Sequence, residues 1–408
     1  MHVPPSPFDP VQIGPITLRN RFIKSGANEG MCINGAPTKA LVKHHRDLAE
    51  GGIGMTTAAY FAVSAQGRTL VNQTWLRPQI LPELRALTED VQQAGAAISA
   101  QITHGGSFTQ VPGHTITPSA SSGINKAGLM QGNLFQRAMS EADMERVSAE
   151  FVDAARLCRE AGFNAVEIHM GHGYLLNQFI SPLSNQRKDK YGGGAENRVR
   201  FPAKVLARVK EAVGKDLAVI AKINVADGVP GGATVEDGIV TAQALQAAGA
   251  DLLVLSGGRN MESTWFMFGS PMNQAEFGKV LKDRPLSRVL IKLAALNTPK
   301  DLAFREMYFL EYSRRIRAAV NMPLAYLGGV KSLENAETVL REGFECVVMA
   351  RALIHDTGLV NKFRAGTAKR SGCTSCNGCI PYIYHAAGTR CIENPPNDLA
   401  LNQVPASV

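Results

Sequence analysis

"NAVEIHMGHG" (Asn164–Gly173) is an apolar run that ends in polar and small residues. Alternation along it places Glu167 and His169 on one face, because successive side chains of a strand point to opposite sides. Seven other short runs have the same form: "RFIKSGA" (21–27), "GMTTAA" (54–59), "AAISAQITHGG" (96–106), "AVIAKIN" (218–224), "DLLVLSGG" (251–258), "PLAYLGG" (323–329) and "ECVVMARA" (345–352). Nearly continuous hydrophobicity suits strands covered on both faces, as in a parallel sheet. Helical patterns separate them. "SEADMERVSAEFVDAARLCREAG" (140–162) opens on a cap-type Ser140 with acidic residues in its first turn, and Val147, Phe151, Ala154, Ala155 and Cys158 form its apolar stripe. "TVEDGIVTAQALQAAGA" (234–250) and "SLENAETVLREGF" (332–344) follow the same scheme.

Eight strand–helix pairs predict an α/β fold of the (β/α)8 TIM-barrel type, with a doubly wound sheet as the alternative. A minimal barrel takes about 250 residues. The surplus is expected in an N-terminal hairpin (11–20) and in insertions at 105–139 and 258–300. The expected division is a barrel over residues 1–367 and a short cysteine-rich tail over 368–408.

The 408 residues are 45% hydrophobic, enough for a large buried core. The net charge is +8 without any long run of one sign, which suits anionic small ligands better than nucleic acid. No apolar run of 18 residues suggests a membrane span. The N-terminus lacks the basic and apolar regions of a signal peptide, so a cytoplasmic location is expected. Small-molecule partners are expected, with no nucleic-acid or membrane partner; a homo-oligomer is left open. Seven cysteines in such a chain suggest thiols or metal ligands rather than disulfides.

Barrel sites form at the C-terminal ends of the strands. His169, His172 and Tyr174 lie where the fourth strand runs out and can converge there. Two imidazoles can donate to one carbonyl oxygen, and a phenol can deliver a proton. The same pair also fits metal ligands or satisfied buried histidines.

The longer stretch "HMGHGYLLNQFISPLSNQRKDKYGG" (169–193), followed by "ENRVRF" (196–201), resembles the signature of the old yellow enzyme family of flavin-dependent ene-reductases. Further similarity lies in "NRFIKSGA", "QGR" (66–68), "AQITHGG", "LGGV" (327–330) and "ARAL" (350–353), in order over residues 8–365. The resemblance implies a (β/α)8 barrel holding FMN at its C-terminal mouth, with NADH or NADPH as reductant and an α,β-unsaturated carbonyl compound as substrate. His169 and His172 then match the pair that grips the substrate oxygen, and Tyr174 the proton donor to the α-carbon. Ser25, Gly26, Ala27, Asn28, Ala59, Gln101 and Lys222 match positions around the flavin ring. Gly328, Gly329, Ala350 and Arg351 match the phosphate site. Lys222 departs from the family's usual arginine, and Asn28 from its usual threonine or cysteine.

Cys373, Cys376, Cys379 and Cys391 have the spacing C-x2-C-x2-C-x11-C. Four thiolates so spaced suit an iron–sulfur cluster or tetrahedral zinc. The segment is similar to that of trimethylamine dehydrogenase and 2,4-dienoyl-CoA reductase, which implies a 4Fe–4S cluster; zinc, or free thiols in a vestigial site, are the alternatives. The functional expectation is an NAD(P)H-dependent FMN oxidoreductase that reduces activated C=C bonds. Its rivals are an FMN/Fe–S dehydrogenase serving a protein acceptor and a non-catalytic flavin-binding protein.

Overall fold

The computed structural model describes residues 4–395 except 114, 284–287, 290, 293, 294, 297 and 386, and of Met130 the backbone only. Residues 396–408 of the expected tail lie outside the described residues.

Eight parallel strands close into a barrel: β1 Phe22–Lys24, β2 Met55–Ala62, β3 Ala97–Thr103, β4 Ala165–Met170, β5 Ala218–Asn224, β6 Leu252–Ser256, β7 Leu324–Leu327 and β8 Cys346–Met349. β8 pairs with β1 through Val347–Phe22, Val348–Ile23 and Met349–Lys24, which completes the ring. A helix follows each strand: α1 Lys39–Glu50, α2 Leu81–Gln93, α3 Glu141–Glu160, α4 Arg200–Val213, α5 Val235–Ala247, α6 Leu310–Arg317, α7 Leu333–Arg341 and α8 Leu359–Arg364. The (β/α)8 expectation is met, and the doubly wound alternative is excluded by the closed ring.

Local chemistry sets the helix starts. Ser140 and Asp143 form a capping box at α3, as do Thr234 and Asp237 at α5, and Ser332 and Asn335 at α7. Each box satisfies backbone N–H groups that have no partner within the helix.

The strand period sorts the side chains into two layers. Along β4, Val166, Ile168 and Met170 face the helices and join the outer core, whereas Ala165 belongs to the cluster inside the barrel. β5 repeats this, with Val219, Ala221 and Ile223 outward and Ala218 and Ile220 inward. The inner cluster also includes Val11, Ile13 and Leu18 of the hairpin, whose strands Val11–Ile13 and Ile16–Leu18 pair antiparallel. This hairpin closes the N-terminal end of the barrel with apolar side chains, so the cavity opens at the other end.

The 105–139 insertion carries a small sheet of Ile116–Ser119, Gly123–Ile124 and Phe135–Ala138. The 258–300 insertion carries the short helices Thr264–Phe268 and Gln274–Val280. Among the described residues, no helix is long and apolar enough to cross a membrane.

Candidate active site

Above the apolar interior, the inward positions of β3, β4 and β5 become polar. Strand pairing sets Gln101 beside Glu167, and His169 beside Lys222. Glu167 is buried; it accepts a hydrogen bond from Gln101 Nε2 at 2.5 Å and an ion pair from Lys222 Nζ at 2.9 Å. Lys222 Nζ also reaches Ser25 Oγ at 3.2 Å and the Gly26 carbonyl at 3.1 Å. The pair neutralises two charges that would be costly to bury singly. It also fastens the segment after β1 to the barrel wall. A Cβ on Gly26 would lie 2.5 Å from Gln101 Nε2, so a side chain there would displace the Gln101 amide from Glu167.

His169, His172 and Tyr174 come together at the end of β4. The two imidazole rings meet edge to face with centroids 4.8 Å apart, and Tyr174 lies 4.6 Å from His169. Burial pushes His169 well below the usual imidazole range, with His172 and Lys222 adding to the effect. Burial and then Lys222 bring His172 to about 3. Both rings are therefore neutral at physiological pH, and each carries one N–H. His169 Nδ1 accepts from the Gly171 N–H at 3.2 Å, which leaves the hydrogen on Nε2. His172 Nε2 meets Ser256 Oγ at 2.8 Å; if the hydroxyl donates, Nδ1 is the free donor. Burial, then Tyr60, raises the Tyr174 phenol well above its usual value, so it holds its proton.

These three residues share one cavity of 660 Å³ with Ser25, Gly26, Ala27, Asn28, Gln101, Gly329, Ala350 and Arg351. Ala59, Lys222 and Gly328 lie behind its surface. The Ala59 N–H donates to Glu29 Oε2 at 3.0 Å, and Glu29 in turn pairs with Lys24. Gly329 has φ 75°, and a Cβ there would lie 2.9 Å from the Tyr308 ring. The charged side chains lining the cavity among the described residues, Lys126, Lys331 and Arg351, are all cationic. Arg351 follows β8; it donates to Asn377 Oδ1 at 2.6 Å and to the Phe268 carbonyl at 2.7 Å. A strip of exposed backbone after β1, a glycine turn after β7 and a cationic end fit an FMN ring and phosphate.

The cysteine segment packs against this mouth. The Thr389 N–H donates to the Glu29 carbonyl at 2.7 Å, and Thr389 Oγ1 to the Asn28 carbonyl at 3.0 Å. Cys373, Cys379 and Tyr384 line the same cavity. Ser375 and Asn377, with φ 64° and 56°, turn the chain between the cysteines, and the Gly378 N–H lies 3.4 Å from Cys376 Sγ. Among the described residues, no three of the four sulfurs lie within 4.8 Å of one another; His355, Cys391 and Glu393 do bring three ligand atoms that close.

Sequence reasoning placed Glu167 beside His169 but did not count it as a site residue. Ser256 stood at a polar strand ending but was not singled out; Tyr60, Asn260 and Tyr384 carried no local signal, since they reach the site from β2, the 258–300 insertion and the cysteine segment.

The model of the NADH:flavin oxidoreductase / NADH oxidase family matches residues 6–289. The 4,4'-dithiodibutanoate disulfide reductase of Rhodococcus erythropolis is 38% identical over 392 residues, 95% of each chain. The NADH oxidase of Thermoanaerobacter brockii is 30% identical over 96% of this chain and 56% of its own. Among solved structures, the old yellow enzyme homologue of Zymomonas mobilis has a TM-score of 0.70 at 20% identity, covering 96% of this chain and 98% of its own. That likeness shows the barrel alone. With the flavin-type mouth on the barrel and the family model covering most of its length, the chain belongs to the NADH:flavin oxidoreductase / NADH oxidase family and is an FMN-dependent NAD(P)H oxidoreductase.

Proposed function

We propose that the enzyme uses NAD(P)H to reduce activated C=C bonds of α,β-unsaturated carbonyl compounds. The observation that carries this reading is the pair of neutral, edge-to-face imidazoles with a protonated phenol 4.6 Å from one of them, all on one cavity. FMN bound in that cavity supplies hydride transfer between the nicotinamide and the substrate. The chain's own residues do the rest. His169 Nε2–H and His172 Nδ1–H donate to the substrate carbonyl oxygen, drawing electron density from the alkene. Tyr174 gives its proton to the α-carbon: its O–H bond breaks as the C–H bond forms. Neutral imidazoles suit this task, because they donate without transferring a proton to the oxygen. Mere flavin binding needs none of the three residues, which weighs against a non-catalytic carrier.

Stopped-flow mixing separates the two half-reactions. Tyr174→Phe is expected to leave flavin reduction by NAD(P)H unchanged and to slow reoxidation by cyclohexenone about 10²–10⁴-fold. Unchanged reoxidation in Tyr174→Phe would remove the proton-donor role. A wild-type enzyme that reduces no activated alkene would remove the reading.

A second reading, disulfide reduction, has a specific support: the Rhodococcus relative is named for a dicarboxylate disulfide, and the charged lining side chains here are cationic. Reoxidation by 4,4'-dithiodibutanoate in the same experiment tests it. For the cysteine segment, we infer an iron–sulfur cluster. The support is the spacing C-x2-C-x2-C-x11-C, four thiolates of the kind that hold such clusters. A cluster there supports electron transfer to a protein acceptor as a further outlet.

A further inference from the structure

Tyr174 shares its cavity with two side chains of opposite hydrogen-bonding sense. One is Tyr60, whose ring centroid lies 5.3 Å from that of Tyr174. The hydrogen on Tyr60 is already committed. Gln73 Nε2 donates to the Tyr60 carbonyl at 3.0 Å, which orients the amide. Gln73 Oε1 then accepts from the Thr69 N–H at 2.5 Å and from Thr69 Oγ1 at 3.0 Å. With its own hydrogen given to Gln73, Thr69 Oγ1 can only accept at its 2.7 Å contact with Tyr60 Oη. Tyr60 therefore shows Tyr174 lone pairs, which suit a neutral phenol and oppose a phenolate.

The other is Asn260. Its Nδ2 is buried with no hydrogen-bond partner among the described residues, and the residue lines the same cavity as Tyr174. Its backbone is held in place: the Asn260 N–H donates to the His172 carbonyl at 3.1 Å, and Arg259 bridges to His172. A buried amide N–H left unpaired costs about 1–3 kcal/mol, so such a donor beside the phenol needs an acceptor. A phenolate at Tyr174 would be one.

We propose that Asn260 is a positioning residue whose side-chain N–H stabilises the Tyr174 oxygen as its proton leaves, while the Gln73–Thr69–Tyr60 chain holds the neutral phenol beforehand. This rests on the reading of Tyr174 as proton donor. The remaining groups facing Tyr174 are His169 and Tyr384, with Phe108 packed at 5.6 Å. None of them is altered in the test.

Two measurements test the proposal in the FMN-loaded protein. First, Tyr174 is replaced by difluorotyrosine, whose phenol ionises near neutrality and is followed by fluorine NMR. Asn260→Ala and the isosteric Asn260→Asp are expected to raise its ionisation pH by about one unit or more, a tenfold change or greater in phenolate stability. Thr69→Val is expected to lower it, by freeing the Tyr60 hydrogen. No shift in either Asn260 variant overturns the proposal. Second, Asn260→Ala is expected to slow reoxidation by cyclohexenone about ten- to hundredfold, the worth of one hydrogen bond to a charged group, with flavin reduction unchanged. In the Tyr174→Phe background the same substitution is expected to have no further effect; an equal slowing there also overturns it. Because the first measurement needs no alkene, a fluorine shift without alkene turnover would reject the ene-reductase reading while leaving the Asn260 assignment standing.

Discussion

Lys222 and Glu167 are both almost fully buried and meet at 2.9 Å. Lys222 stands where the resemblance leads one to expect an arginine beside the flavin. Its ammonium is spent on Glu167, Ser25 and the Gly26 carbonyl, so it shapes the segment after β1 as well as carrying charge. Breaking one half of a buried pair strands the other charge, which typically costs about 3–5 kcal/mol, whereas removing both leaves none. Lys222→Met and Glu167→Gln should therefore each destabilise the protein more than the Lys222→Met/Glu167→Gln double variant does. Urea unfolding of the three variants measures this. Additive losses would mean that the two side chains are not coupled.

The cysteine segment behaves as a clasp over the barrel mouth. It is tied to the segment after β1 through Thr389, to Arg351 just after β8 through Asn377, and to the 258–300 insertion through Asn377 Nδ2, 2.9 Å from Ser270 Oγ. Because Cys373 and Cys379 line the flavin-type cavity, the contents of the segment and flavin retention should be linked. Anaerobic preparations are expected to contain iron and labile sulfide, and a Cys379→Ser variant to lose both. The same variant should retain less FMN through gel filtration, because the clasp loses its centre. Stoichiometric zinc without sulfide would reassign the segment as a zinc site; full flavin retention in the variant would uncouple the two.

Across the whole molecule, burial keeps several histidines neutral. His45, His104 and His169 are at most 3% exposed, and burial brings His104 to about 3 and the other two well below 6.5. The unfolded chain then binds more protons than the native one over this range, so stability is full above about pH 6.5 and falls as pH drops below it. The loss approaches about 1.4 kcal/mol per pH unit for each histidine. Glu29 and Glu345, whose pKa burial raises, act in the opposite direction, but as two groups against these three histidines and His172. Denaturant unfolding of the FMN-loaded protein at stepwise pH from 7.5 to 4.5 should therefore show a steepening loss, and a flat profile would contradict neutral burial of these rings.

The barrel was legible in the chain because its evidence is local. Each of the eight runs carries its own nearly continuous apolar stretch and polar or small-residue ending, and Ser140, Thr234 and Ser332 mark helix starts within three residues of the groups they cap. The position of His169, His172 and Tyr174 at a strand end was legible for the same reason. The hairpin over 11–20 was visible too, but not its task of closing the barrel floor, which appears only when Ile13 and Leu18 meet inward residues of the strands. The three-stranded sheet in the 105–139 insertion lacked a strong alternating signal. What the sequence by itself determined is thus the order of strands and helices, and which residue types stand where strands end. What only the tertiary structure decided is which of those residues meet: Glu167 with Gln101 and Lys222, Tyr60 and Asn260 with Tyr174 on one cavity, and Thr389 on Glu29. These partners come from segments tens to hundreds of residues apart, and the barrel's closure and register, rather than any local pattern, set the distance between them.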